Sequence, residues 1–337
     1  MNNNKLRIFL GPFHTAGIQW EYRQGLRSIG VDAKVVVFVE HPFQYPSDIE
    51  FKFTGSKYIK LFKKNITSCI QLPKLILNFD VFHMYSSILP FKIDVYILKL
   101  FRKKIIIHFT GGDIRSRNIH GIPLNNNIIN KKKKNIKFWE NYADAIISFP
   151  EYSQLLTKKY HTIPLGFNLE YWKPFISNKF KKNDNKILII HSPSNREIKG
   201  TKYVIEAIEL LINEGFEIEF KLLENLSNSE IREWINVSDI VLDQFMLGWH
   251  GAFAIESMAL MKPTLCYINE EWKNCVEYAK NIPLVNTSHD KIYDNLKLLI
   301  ENPNLRKELG EKGRKYVEEV HDSKKVAKQL LELYKSL

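Results

Sequence analysis

Short apolar runs rich in β-branched residues recur along the 337-residue chain, separated by longer stretches whose apolar residues repeat at helical spacing. The runs predict strands over Arg7–Leu10, Lys34–Val39, Val81–His83, Lys104–His108 and Ala145–Ser148. A second series follows at Ile187–His191, Glu217–Leu222, Ile240–Leu242 and Thr264–Tyr267. Stretches such as Gln19–Ser28, Thr201–Asn213 and Ala252–Leu260 predict the helices between them, and Ser323–Tyr334 predicts a closing amphipathic helix. Strands alternating with helices imply βαβ units and parallel sheets.

The alternation breaks at Tyr160–Asp184, where Pro164, Gly166, Pro174 and the polar run from Ser177 to Asn185 read as an interdomain linker. The expectation is an α/β protein of two doubly wound, Rossmann-like domains, each with a crevice at the carboxyl ends of its strands. Residues 1–170 form the first and 171–320 the second, leaving 321–337 as a C-terminal helix placed to pack back on the first.

Charge changes this picture only when divided. Residues 1–170 carry 25 Lys and Arg against 12 Asp and Glu, whereas residues 171–337 carry 24 against 25. All of the surplus lies in one half, which points to a local anionic partner there. The three cysteines (Cys69, Cys266, Cys275) form no CxxC or Cys/His cluster, so neither a disulfide scaffold nor a zinc site is expected. No apolar run approaches the ~20 residues that span a bilayer. Leu6–Leu10 is too short for a signal-peptide core and contains Arg7, so the expected location is cytoplasmic.

Two segments of the second half carry candidate chemistry. His191-Ser-Pro-Ser-Asn-Arg-Glu-Ile-Lys199-Gly200-Thr201 joins a strand to a helix. A helix start offers unpaired N–H groups and partial positive charge to a phosphate, to which Lys199 and Arg196 add ionic contacts. The same residues would equally suit a solvated surface loop. The segment from Asp239 to Ala259 runs from a strand through Gly248 and Gly251 into a helix, where glycine lets the backbone approach a ligand. Glu256, four residues after Ala252, can turn back towards the crevice and suits a ribose diol.

Taken in order and with their spacing, "HSPSNREIKGT" and "SDIVLDQFMLGWHGAFAIESMALMKPTLCYI" resemble the donor-binding half of the retaining glycosyltransferases of family 4, which have the GT-B fold. Gly251, Glu256, Met258-Ala259 and Lys262-Pro263 fall where that family has Gly-x-x-x-x-Glu-Ala-Met-Ala-x-Gly-x-Pro. The resemblance implies two Rossmann-like domains facing each other across a cleft. It implies that Asn195, Arg196 and Lys199 hold the donor diphosphate. The backbone of Gly251, Ala252 and Phe253 would contact phosphate or sugar, and Glu256 would bind the ribose. The chain departs from the pattern at Gly248, where the family often has a glutamate, and at Ser194, where an arginine is common.

The first half resembles the same family more weakly. Gly11-Pro-Phe-His-Thr-Ala-Gly17 is similar to its glycine-rich loop, which makes Gly17 a donor contact and His14 an acceptor contact, unless His14 is an ordinary loop histidine. Ile105 to Arg115 resembles "H-x-H-G-S-D-x-R", with Thr110 in place of one histidine. There the resemblance makes His108 and Asp113 catalytic candidates and Arg115 an acceptor contact, while Asp113 and Arg115 could instead form a structural ion pair.

The sequence contains no Asp-x-Asp, and neither a metal nor another cofactor is expected. The charge of the leaving diphosphate then falls to Lys199, Arg196 and helix N-termini. Family likeness implies retention. The basic stretches Ser56–Lys64 and Tyr96–Lys104 interleave cations with aliphatic and aromatic residues, as interfacial helices do. The expected partners are a nucleotide sugar, a glycan or polyprenyl-diphosphate-linked acceptor and an anionic membrane surface, in cell-surface polysaccharide synthesis. Nucleic acid is not expected, because no binding signature accompanies the charge. The alternatives are a GT-B enzyme of other activity, such as a sugar-nucleotide epimerase or phosphorylase, and a basic protein without catalytic activity.

Overall fold

The computed structural model of the protein describes residues 6–15, 17–39, 45–116, 124–151, 153–177 and 179–337. They fall into two compact units. The first takes the described residues up to Gly166 together with Ser323–Leu337; the second takes Phe167–Asp322.

The first unit contains β1 (Arg7–Gly11), α1 (Ile18–Ser28), β2 (Asp32–Val37), β3 (Ile49–Glu50), α2 (Lys57–Asn78), β4 (Val81–Met84), α3 (Ile93–Leu100), β5 (Lys104–His108), α4 (Asn126–Tyr142) and β6 (Ala145–Ile147). Its six strands form a parallel sheet in the order β3-β2-β1-β4-β5-β6, with Ile8 opposite Ala33 on one side and Val81 on the other. The order reverses between β1 and β4, which opens a crevice beyond their carboxyl ends. Ile8, Phe9, Leu10 and Ile105–Ile107 are fully buried because helices cover both faces. Leu72, Ile76, Val95, Leu98 and Trp139 bring α2, α3 and α4 onto one face.

The second unit contains β7 (Ile187–His191), α5 (Arg196–Lys199), α6 (Thr201–Asn213), β8 (Ile218–Leu222), α7 (Asn228–Val237), β9 (Ile240–Leu242), α8 (Ala252–Ala259), β10 (Thr264–Cys266), α9 (Glu270–Asn274), β11 (Val285–Asn286), α10 (Ile292–Glu301) and α11 (Pro303–Val320). The parallel order β11-β10-β9-β7-β8 reverses between β7 and β9. Its core joins Ile189, Leu242 and Leu265 of the strands to Val204 and Leu211 of α6 and Leu296 of α10. Each such buried aliphatic side chain contributes about 1.5–3 kcal/mol relative to exposure.

The last helix, α12 (Ser323–Ser336), belongs to the first unit, where Val326, Leu330 and Tyr334 cover the sheet face opposite α2 beside Tyr22 and Leu26 of α1. Gly25 permits that approach, since a Cβ there would stand 2.2 Å from the Ser323 carbonyl oxygen. The alternating pattern therefore does correspond to two parallel-sheet α/β units. The edge strands β3 and β11 are absent from the sequence reading because two residues cannot display an alternation. No helix among the described residues is long and apolar enough to cross a membrane.

Candidate functional site

The reversal in the second unit lies between β7 and β9, and both chemistry-bearing segments leave the sheet there. His191, the last residue of β7, fixes the local geometry. Its Nδ1 lies 2.9 Å from the Leu242 carbonyl oxygen and must donate to it, so Nε2 accepts from the Thr201 hydroxyl at 2.9 Å. Burial lowers its pKa to about 4, and the ring is neutral. One imidazole thus ties the ends of β7 and β9 to the first residue of α6.

Asn195 caps α5 through its side chain, which accepts from Ile198 N at 3.0 Å. Gly200 then turns the chain in the left-handed region (φ 73°) and starts α6. This short turn points Lys199 inward, only 8% exposed, with its Nζ bonded to the fully buried carboxylate of Asp243. Arg196 is instead exposed, its guanidinium paired with Glu224.

Asp243 follows β9, and its other oxygen accepts from Gly251 N at 3.1 Å. A Cβ at Gly251 would lie 3.6 Å from Lys199 Nζ, so the backbone passes close to the ammonium. The first-turn N–H groups of α8, including those of Ala252 and Phe253, follow directly, and Gly251 as N-cap supplies no side-chain acceptor to them. Glu256, one turn along α8, is buried beside Asn228 Nδ2 at 3.4 Å. The structure therefore brings Lys199, Gly251 and the start of α8 together, with Glu256 on the same helix. An ammonium, backbone donors and a carboxylate can hold an anion and a diol.

Asp243 went unrecognised in the sequence, although it stands directly after a strand end. Gly248 also acquires a reason. Its φ is +79°, and an added Cβ would come within 3.1 Å of Asn269 and Trp272. A glutamate would be strained there whatever its contacts.

A concavity of about 430 Å³ lies in the first unit where the strand order reverses between β1 and β4. Phe13, His14 and Thr15 come from the loop after β1, Tyr85 and Ser86 from the end of β4, and Phe109, Thr110 and Asp113 from the end of β5. Lys92 and Trp139 also line it. Asp113 accepts from Gly111 N at 3.0 Å, and burial raises its pKa. Gly17 caps α1 in the left-handed region, facing the Tyr45 ring.

His108 does not line this cavity. It is fully buried among Tyr22, His83, Tyr85 and Phe149, with Nδ1 3.1 Å from His83 Nε2, while His83 Nδ1 is 2.7 Å from the Tyr334 hydroxyl. Burial holds both imidazoles neutral, with the pKa of His83 pushed down to about 3. Arg115 pairs with Glu151 at 2.5 Å.

No family model matches the chain, and no curated protein does. Solved structures do. HepE of Anabaena, crystallised with UDP-glucose, is 13% identical, with a TM-score of 0.66 over 99% of this chain and 100% of that one. Sucrose-phosphate synthase from Thermosynechococcus elongatus gives 0.64 at 13% identity over 98% and 99%. A putative UDP-N-acetylglucosamine 2-epimerase from Listeria monocytogenes gives 0.54 at 13% identity over 98% and 96%. With two Rossmann-like units and these whole-length likenesses, the chain has the GT-B glycosyltransferase fold.

Proposed function

We propose that the protein transfers a sugar from a nucleotide-sugar donor to a glycan or lipid-linked acceptor, in the synthesis of a cell-surface polysaccharide at the anionic inner face of the cell membrane. The observation that carries this reading is Lys199 beside the Gly251 backbone at the β7/β9 reversal, with Glu256 one turn into α8. Departure of a nucleoside diphosphate gathers negative charge on its oxygens. Lys199 and the uncapped N–H groups of α8 are fixed where they would meet that charge without a metal, and Glu256 would accept from the ribose hydroxyls. Arg196 and Asn195 lie at the rim of the same turn. Asp113, on the wall of the first unit's cavity, would orient the acceptor hydroxyl, and His108 stands one layer beneath it. Retention follows the family resemblance, with the leaving phosphate helping to deprotonate the acceptor.

Thermal-shift screening against UDP-, GDP-, ADP- and CMP-sugars tests this reading, and UDP-sugars come first because HepE was crystallised with one. Stabilisation by one class is expected; none by any class would contradict it. NMR of the product would then show a retained anomeric configuration. The likeness to the epimerase favours one second reading, conversion of the nucleotide sugar itself. That reading predicts an epimeric nucleotide sugar when the donor is incubated with the protein alone.

A further inference from the structure

The closing helix reaches the strand ends of the first unit through a chain of three side chains. Tyr334, near the end of α12, is buried with its hydroxyl 2.7 Å from His83 Nδ1, and His83 Nε2 lies 3.1 Å from His108 Nδ1. His83 is on β4, and His108 is the last residue of β5, its neighbour in the sheet. Tyr85, which lines the cavity beyond these strands, stacks on both imidazoles, with ring centroids 5.4 Å from His83 and 5.0 Å from His108. The far nitrogen, His108 Nε2, is buried with no hydrogen-bond partner among the described residues. Tyr22 also stacks on His108, but its hydroxyl already donates to the Pro164 carbonyl oxygen at 3.2 Å.

Burial keeps both rings neutral, so each carries a single N–H and the chain can be protonated in only two ways. In the first, Tyr334 donates to His83 Nδ1, His83 donates from Nε2 to His108 Nδ1, and His108 keeps its proton on Nε2. One group is then left unpaired, the buried His108 N–H. In the second, every bond runs the other way: His108 donates from Nδ1 to His83 Nε2, and His83 donates from Nδ1 to the Tyr334 oxygen. Two groups are then unpaired, the Tyr334 O–H and the bare His108 Nε2, since the Tyr334 hydroxyl makes no other hydrogen bond among the described residues. Each buried polar group left unpaired costs stability, so the first arrangement is the favoured one.

We propose that Tyr334 is a positioning residue for the first unit's site: its hydroxyl holds His83 and His108 with their protons on Nε2, so that His108 can donate a hydrogen bond there but cannot take a proton. Its other nitrogen is already occupied, accepting from His83. The exclusion of His108 as the base for an acceptor hydroxyl deepens the transferase reading, in which the departing phosphate takes that proton, and rests on it. The tautomer itself does not.

The test is two-bond 1H–15N correlation of the imidazoles in the whole 15N-labelled protein at pH 7.5, the two rings being assigned by their nuclear Overhauser contacts to Tyr334 and Tyr85. Both should show a protonated Nε2 and a bare Nδ1. A protonated Nδ1 in either ring would overturn the proposal. Tyr334→Phe keeps the packing of the ring but leaves each arrangement one donor and one acceptor short, so a protonated Nδ1 should appear in both histidines together. A tyrosine with a merely structural role would leave the tautomers as they are in wild type, and that result would also overturn the proposal. The expected tautomers in a protein that binds no nucleotide sugar would uphold the role of Tyr334 and refute the transferase reading.

Discussion

Lys199 and Asp243 form an ion pair across 44 residues of sequence, at the point where the strand order of the second unit reverses. The carboxylate is fully buried and also holds Gly251 N, so one side chain sets the position of both groups assigned to the donor phosphates. Asp243→Asn should therefore weaken nucleotide binding although Asp243 carries the wrong charge to touch a phosphate. Breaking a buried pair costs about 3–5 kcal/mol, and the variant should melt well below wild type. Isothermal titration at a temperature where it remains folded separates the two effects.

Gly251→Ala tests the approach of the backbone without disturbing the fold. Its methyl would meet Lys199 and Asp243 at 3.6–3.9 Å, ordinary contact distances. The melting temperature should stay close to wild type while nucleotide affinity falls at least about tenfold, as a methyl group takes the place of a phosphate oxygen. An unchanged affinity would place the donor elsewhere.

Much of the fold was legible, and the reason is visible at β5 and β7. Ile105–Ile107 and Leu188–Ile190 are buried on both sheet faces, and continuous aliphatic runs report that state directly. The site was legible only in part. Lys199, Gly251 and Glu256 lie next to helix starts, which leave a local signature. Asp243 gains its meaning from a partner 44 residues away, and no pattern announces such a pairing. Lys92 was unreadable for a different reason, because its left-handed turn contains neither glycine nor asparagine. His108 shows a third limit: the motif located it at a strand end, but packing beneath His83 and Tyr334 decided where its ring lies.

Stability should fall on mild acidification. His83, His191 and His250 have pKa values of about 3, 4 and 4, each lowered by burial from 6.5. Below pH 6.5 the unfolded chain therefore binds protons that the native state refuses, so stability present above that pH is lost as pH falls towards 4. Each such histidine costs about 1.4 kcal/mol at pH 5.5. Denaturation by urea at pH 7.5 and 5.5 should show the loss, and His191→Gln should flatten it by one histidine's share. Equal stability at both pH values would contradict the buried neutral assignment.

The closing helix supplies a test of the first unit. Gly25→Ala would drive a methyl into the Ser323 carbonyl and the Ala327 side chain, an overpacking cost of about 1–3 kcal/mol despite alanine's better helix propensity. Deleting α12 should unfold the first unit outright, because Leu330 and Tyr334 are part of its core. Near-UV circular dichroism and limited proteolysis would report both.

The donor site carries the central claim, and calorimetric titration of a uridine diphosphate sugar into wild type, Lys199→Ala and Glu256→Ala tests it most directly. The account predicts binding to wild type that falls by about tenfold or more in each variant, with the Lys199→Ala loss also present for the free diphosphate nucleotide. Glu256→Ala should lose discrimination between ribose and deoxyribose forms. Equal affinity in all three proteins would contradict the assignment of the β7/β9 reversal as the nucleotide site.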